Sequence, residues 1–301
     1  MVEQYYKTFK DIPSKEELYV GGSFTCQGCP GAMGIKLALK VLGKNTVVIN
    51  AAGCMTLLCV IPHTPLKVGW VYDAIENAAP TAAAIKLMKP ELNVLCYVGD
   101  GATYDIGFQS LSHAFEKKRP IIYICYNNQT YGNTGAQWSP ATPYAAETRT
   151  TPRGKKLKTG NIWPRKEIEK ILAAHKIYVA TASIAFPLDY MNKIRRIKES
   201  NKPGFINLLV PCIPGWGINP WHSVKLSRLA VQTGFWPLYE ITEDGVLHLN
   251  FKPKKLLALE EFLKYQQRYK GIPKKDLKKL KELIRKKWDE LLKYDGKVYI
   301  P

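Results

Sequence analysis

The chain has 301 residues, of which 46% are hydrophobic, 23% charged and 11% aromatic, a composition that folds and excludes wholesale disorder. Its formal charge of +19 suggests nucleic acid, but the excess sits in two blocks: residues 149–198 carry 13 Lys/Arg against 3 Asp/Glu, and residues 251–301 carry 16 against 7. No apolar run approaches the roughly 20 residues that span a bilayer, the first twenty residues do not read as a secretory signal, and seven cysteines in a chain this long argue against a secreted disulfide framework. A cytosolic (cytoplasmic) globular protein is expected.

From about residue 30 the chain alternates helix-like and strand-like segments. Gly34 to Leu42 has helical spacing of Ile35, Leu39 and Leu42, and Gly43 suits its end. Thr46 to Ile49 is a β-branched run, short enough for a buried strand. Val71 to Met88 is Ala-rich and predicts a helix, Asn93 to Val98 a strand, Ile106 to Lys118 a helix, and Pro120 to Tyr126 a third strand. Asn127 to Arg165 lacks a hydrophobic period, and a loop of that length is usually functional or mobile. Ile177 to Ala182 and Phe205 to Val210 read as strands around a helix at Pro187 to Glu199. This order predicts an α/β fold, a doubly wound parallel sheet with helices on both faces and ligands outside the carboxyl ends of its strands. Residues 1–250 are read as that domain. Residues 251–301 are read as a basic helical C-terminal extension, with an earlier helix around Leu256–Tyr269 and Leu277, Leu280, Ile284, Trp288 and Leu291 at helical spacing.

Two motifs fall at strand ends. Gly99-Asp100-Gly101 follows one strand and Asn127-Asn128 the next, with 25 residues between them, room for one crossover helix. A crossover puts both strand ends on the same edge of the sheet. Asp100 and Asn128 can then offer oxygens to one hard cation, and Mg²⁺, which favours few protein oxygens plus phosphate and water, fits. Glycine permits the backbone to approach a ligand closely.

Cys26 and Cys29 form a Cys-x-x-Cys pair, while Cys54 and Cys212 each sit just after a strand. The quartet admits a structural zinc site, a thioredoxin-type redox pair or an iron–sulfur cluster, and spacing alone leaves all three open. Cys59, Cys96 and Cys125 lie in apolar stretches and read as buried thiols.

The GDG–NN pair resembles the thiamin diphosphate motif. With TCQGCPGAMGIKLAL, NAAGCM, YNNQTYGNTGAQWSPATP, PRGKKLKTG and VPCIPGW, it makes residues 20–217 similar to the β subunits of the 2-oxoacid:ferredoxin oxidoreductases, most closely those acting on pyruvate. The resemblance implies that Gly99, Asp100, Gly101, Asn128, Thr130 and Asn133 hold thiamin diphosphate. Asp100, Asn128 and the Thr130 carbonyl would ligate Mg²⁺, Cys26, Cys29, Cys54 and Cys212 would hold a [4Fe–4S] cluster, and Asn133 would face the reactive end of the cofactor. It implies oxidative decarboxylation of a 2-oxo acid, with electrons passing to ferredoxin and the acyl group to coenzyme A. Partner subunits are expected (α, γ and δ, or a fused equivalent), since the carboxylate that activates the thiamin pyrimidine would come from a second domain absent here. Pro30, Ala52, Met55 and Ala136 depart from the usual family pattern.

Asp105 reads either as a support for the cofactor loop or, more simply, as a helix cap near Ile106. His63, His113, His175, His222 and His248 show no paired motif and are not expected to be catalytic. The block Arg149–Lys170 reads as a coenzyme A or partner contact, or as a plain surface loop. Neither basic block carries a groove-reading motif, so neither nucleic acid nor membrane is expected as a partner.

Overall fold

The computed structural model describes residues 6–12, 16–60 and 64–301; His63 and parts of the N-terminal segment lie outside these. Pro30–Leu42 forms α1 and Thr46–Ala51 β1, followed by β2 (Gly69–Asp73), α2 (Ala78–Met88), β3 (Asn93–Gly99), α3 (Phe108–Glu116) and β4 (Ile122–Asn127). After the long loop come α4 (Ile168–Ala173), β5 (Tyr178–Ser183), α5 (Pro187–Ser200) and β6 (Gly204–Leu209). The remainder comprises α6 (Ile213–Trp216), α7 (Ser223–Gln232), β7 (Tyr239–Ile241), β8 (Leu247–Leu249), α8 (Leu259–Leu263) and α9 (Lys274–Tyr294).

The strands pair in the order β2-β1-β3-β4-β6-β5-β7-β8, the first six parallel and the last two antiparallel. The doubly wound sheet expected from the sequence is present. Its order reverses at β1, which has β2 on one side and β3 on the other, so a crevice opens beyond the carboxyl ends of β1 and β3. One face is covered by α1 and α5, with Ile35, Leu39, Tyr190 and Ile194 packed on Leu95, Ile124 and Ile206. Ala82, Phe115, Leu172 and Leu291 cover the other face, against Cys96, Cys125 and Phe205. Burying each such large side chain contributes about 1.5–3 kcal/mol.

Three segments differ from expectation. The Ala-rich stretch is not helical from Val71: Gly69–Asp73 pairs with β1 as an edge strand, and the helix begins only at Ala78. The segment after β3 is a π-turn, Ala102–Ile106, and α3 starts past Gly107. Leu256–Tyr269 holds one short helix, α8, and a 3₁₀ turn at Gln267–Tyr269. Strands β7 and β8, three residues each, carry no readable period.

The C-terminal helix α9 shares the cores of the sheet. Trp288 and Leu291 join the cluster that includes Phe115 and Val179, and Leu280 joins one built on Trp216, Trp236 and Phe262. Its buried Asp276 accepts hydrogen bonds from the Tyr144 hydroxyl at 2.8 Å and Thr159 Oγ1 at 3.0 Å, tying the helix to the long loop. Residues 295 and 298 bridge to Leu247 and Val246.

Candidate functional site

Four consecutive strands of the sheet, β1, β3, β4 and β6, end at one rim, and each is followed there by a residue singled out from the sequence: Cys54, Asp100, Asn128 and Cys212. The backbone alone therefore gathers residues that are 158 positions apart in the chain (54 to 212). Cys26 and Cys29 arrive from the other direction, on the loop that feeds the N-terminus of α1. Pro30 occupies the first helical position, where its missing N–H is harmless, so this departure from the family pattern starts the helix rather than disturbing the loop.

Asp100 is fully buried. One of its oxygens accepts the Asn128 backbone N–H at 3.1 Å and the other the Ser139 hydroxyl at 2.5 Å. Burial pushes its carboxyl up to about 7, against the opposing pull of these and other neutral donors. A buried carboxylate held only by neutral groups suits a hard cation, which would supply the missing positive charge. Asn128 Oδ1 accepts from the Thr130 N–H at 3.0 Å and Thr130 Oγ1 at 3.1 Å, which folds the loop over the strand ends. Asn127, the other half of the pair, points away into a buried network with Tyr104, Asn207, Glu169 and Arg165.

Beside Asp100 lies a cavity of about 130 Å³ lined by Gly53, Gly99, Gly101, Asn128, Thr130 and Asn133 among others. Two glycines there are sterically required: a Cβ on Gly101 would lie 2.3 Å from the Tyr131 ring, and one on Gly132 would lie 2.7 Å from Asn128 Nδ2 and 3.1 Å from Cys54 Sγ. Glycine at these positions lets the Tyr131 ring and the Asn128 amide close on the backbone that lines the cavity.

All four cysteines line a second cavity, of about 270 Å³. Cys212 caps α6, its Sγ accepting the Gly215 N–H at 3.3 Å. Burial and the neighbouring thiols push Cys54 and Cys212 up, Cys212 to about 12, and burial likewise raises Cys29. Among the described residues no three His, Cys, Asp or Glu side chains close on one ion; the thiols stand around a chamber. Cys96 and Cys125 are buried in the core as expected, whereas Cys59 is only partly buried, its Sγ 3.4 Å from Thr64 Oγ1.

The two cavities adjoin. Cys54, Tyr126, Asn128, Gly132 and Asn133 line both. Asn133 is exposed at their junction.

Several supporting residues escaped the sequence reading. Ser139 holds Asp100 from 39 positions away. The Trp216 indole N–H donates to the Asn128 carbonyl at 2.8 Å, so the Cys212 loop grips the loop after β4. The Tyr131 hydroxyl donates to Asp105 at 2.8 Å. Asp105 thus holds the Tyr131 loop and caps no helix, because the π-turn delays α3 past Gly107. Ser139 and Trp216 sit inside the quoted segments WSPATP and VPCIPGW, but only contact reveals their use. None of His113, His175, His222 and His248 lines either cavity. Much of the basic block is engaged internally: Arg153 with Glu147 and the carbonyls of Ala145, Arg268 and Lys270, Arg165 with Glu169, and Lys170 with Glu290. Lys155, Lys156 and Lys158 are exposed. No helix among the described residues is long and apolar enough to cross a membrane.

Residues 51–208 match the family described as thiamine pyrophosphate enzyme, C-terminal TPP binding domain. The chain is 43% identical over 277 residues to pyruvate synthase subunit PorB of Methanothermobacter thermautotrophicus, covering 90% of this chain and 96% of that protein. It is 37% identical to ketoisovalerate oxidoreductase subunit VorB of Pyrococcus furiosus, covering 94% of each. Among solved structures, a 2-oxoglutarate:ferredoxin oxidoreductase from Magnetococcus marinus shares the fold, with a TM-score of 0.56 at 19% identity, over 76% of this chain and 84% of that one.

Proposed function

This chain belongs to the thiamin diphosphate-binding β-subunit family of the 2-oxoacid:ferredoxin oxidoreductases, and on that premise we propose that it serves the oxidative decarboxylation of pyruvate to acetyl-CoA and CO₂, with ferredoxin as electron acceptor. In this reading Asp100, Asn128 and the Thr130 carbonyl hold Mg²⁺ and through it the diphosphate, while Cys26, Cys29, Cys54 and Cys212 hold a [4Fe–4S] cluster. Bound thiamin diphosphate would supply the electron sink for decarboxylation, and the cluster a one-electron outlet.

The protein's own contribution is placement. Ser139 and the Asn128 N–H orient the Asp100 carboxylate toward the cation. Gly101 and Gly132 let Tyr131 and Asn128 pack tightly against the backbone of the groove. Asn133 offers an amide at the junction of the cavities, where it can hydrogen-bond the reacting oxygen of a 2-oxo acid. Neither cavity is lined by a glutamate among the described residues. In this reading the carboxylate that activates the pyrimidine ring would come from an α subunit, and turnover would need that partner.

The observation that carries the reading is the shared wall of the two cavities, since electrons must pass from substrate carbon to cluster over a short distance. The 43% identity to PorB of Methanothermobacter thermautotrophicus, against 37% to VorB of Pyrococcus furiosus, supports pyruvate over a branched-chain oxo acid. The test is anaerobic isolation with the partner subunits, followed by iron, sulfide and thiamin counts and pyruvate-dependent bleaching of the visible iron absorbance. Thiamin without iron would refute the cluster. Bleaching by 2-oxoisovalerate in preference to pyruvate would move the substrate.

A further inference from the structure

Behind the cysteine cavity the protein buries a cation. Arg268, in the 3₁₀ turn Gln267–Tyr269, is 4% exposed. Its Nε donates to Gln266 Oε1 at 2.9 Å, but its two terminal nitrogens, both buried, have no hydrogen-bond partner among the described residues. The guanidinium carbon sits 3.7 Å from the centre of the Trp216 ring. Trp216 in turn is fastened to both halves of the site: its backbone N–H donates to the Cys212 carbonyl at 2.9 Å and its indole N–H to the Asn128 carbonyl at 2.8 Å.

Arginine does not shed its proton in a protein, so this charge persists in the interior. A buried guanidinium is tolerated when something negative answers it, and stacking on an indole answers it only in part. Burial opposes the charge of this guanidinium. Full compensation would come when the cysteines bind iron as thiolates and the cavity turns negative.

We propose that Arg268 is the counter-charge of the iron–sulfur cluster held by the four cysteines, and that its guanidinium, seated on Trp216, raises the reduction potential of that cluster. The proposal rests on the cluster reading. Reduction adds one negative charge to the cluster, and a fixed cation in a low-dielectric interior favours the form with more negative charge. Arg268 does not line the cysteine cavity and is a positioning residue: it sets how readily the cluster accepts an electron.

The test uses the assembled, anaerobically isolated complex with Arg268→Lys, Arg268→Gln and Arg268→Met, the last of which preserves apolar packing over Trp216. Iron content is measured first, then the midpoint of this chain's cluster by a redox titration followed by electron paramagnetic resonance. With iron content unchanged, Gln and Met should each move the midpoint to more negative potential by at least tenfold in the reduction equilibrium, about 59 mV for one electron. Lys should retain most of the wild-type value. An unchanged midpoint in the iron-replete Met variant would reduce Arg268 to a packing strut and overturn the proposal, whatever happens to stability. Absence of cluster iron from the wild-type complex would instead sink the cluster reading itself.

Discussion

The loop from residue 128 to 165 and the helix α9 invert the usual relation between pattern and burial. The helix has the clearer apolar period, yet most of its surface is solvated lysine. The loop has no period, yet Ser139, Ala141 and residues 142–146 are buried. Scattered backbone bonds such as Ala145 N–H to the Asn161 carbonyl hold it together with side chains: Thr142 Oγ1 donates to the Gln129 carbonyl, and Asn161 Nδ2 to the carbonyls of Thr142, Pro143 and Trp163. Periodicity reports how a segment packs on a neighbour. It says nothing about polar segments that are buried because they carry a site, and their cost is met only when each buried donor finds an acceptor.

The largest break in this comparison is expected at Asp100. Asp100→Ala removes the only carboxylate named for the cation, and the complex should lose bound thiamin diphosphate and pyruvate turnover together while its iron content stays. Chelation of Mg²⁺ in the wild type should do the same reversibly, read as thiamin released to the filtrate. Retained thiamin in either case would remove Asp100 from the metal site. Ser139→Ala is next. It leaves the carboxylate present but unheld on one oxygen, and loss of such an outer partner typically costs about 10–100-fold in metal-site affinity or activity. The measurement is the Mg²⁺ concentration for half-maximal activity. A variant with wild-type Mg²⁺ dependence would mean that the loop is buried for packing and not for the site.

Most of the sheet was legible from the sequence, because β1, β3, β4, β5 and β6 are buried on both faces and so read as short apolar runs. Gly69–Asp73 was missed as an edge strand: it is partly exposed along its length and abuts an Ala-rich helix, so its two-residue period is drowned. The rim residues were legible because chemistry restricts them to Cys, Asp, Asn and Gly at strand ends. Ser139, Trp216 and Arg268 were not. Their meaning lies in single contacts across 39, 88 and 52 positions (139 to 100, 216 to 128, 268 to 216), and no local pattern encodes a contact at that range.

Asp276 and Glu290, both on α9, sharpen the comparison from the helix side. Asp276→Asn keeps one oxygen for Tyr144 or Thr159 and loses the other acceptor, so the protein should lose about 1–1.5 kcal/mol of stability. Thermal unfolding of the complex checks this, and thiamin affinity should not move. Coupling between the two would mean that α9 holds the loop in its working shape.

Glu290 offers the weakest perturbation. Its carboxylate lies 2.6 Å from Lys170 Nζ, across the boundary between the tail and the basic block. Both side chains are about one-third exposed (31% and 32%), so water and salt screen the pair, and Lys170 also has Glu167 at 3.3 Å to fall back on. Glu290→Gln should therefore cost under about 1 kcal/mol, and less still at high ionic strength. Turnover and cofactor content should be unchanged. A larger loss, or one insensitive to salt, would show that charge and not the apolar stripe docks α9 on the sheet, and the helix would then resemble the loop in being held by polar contacts.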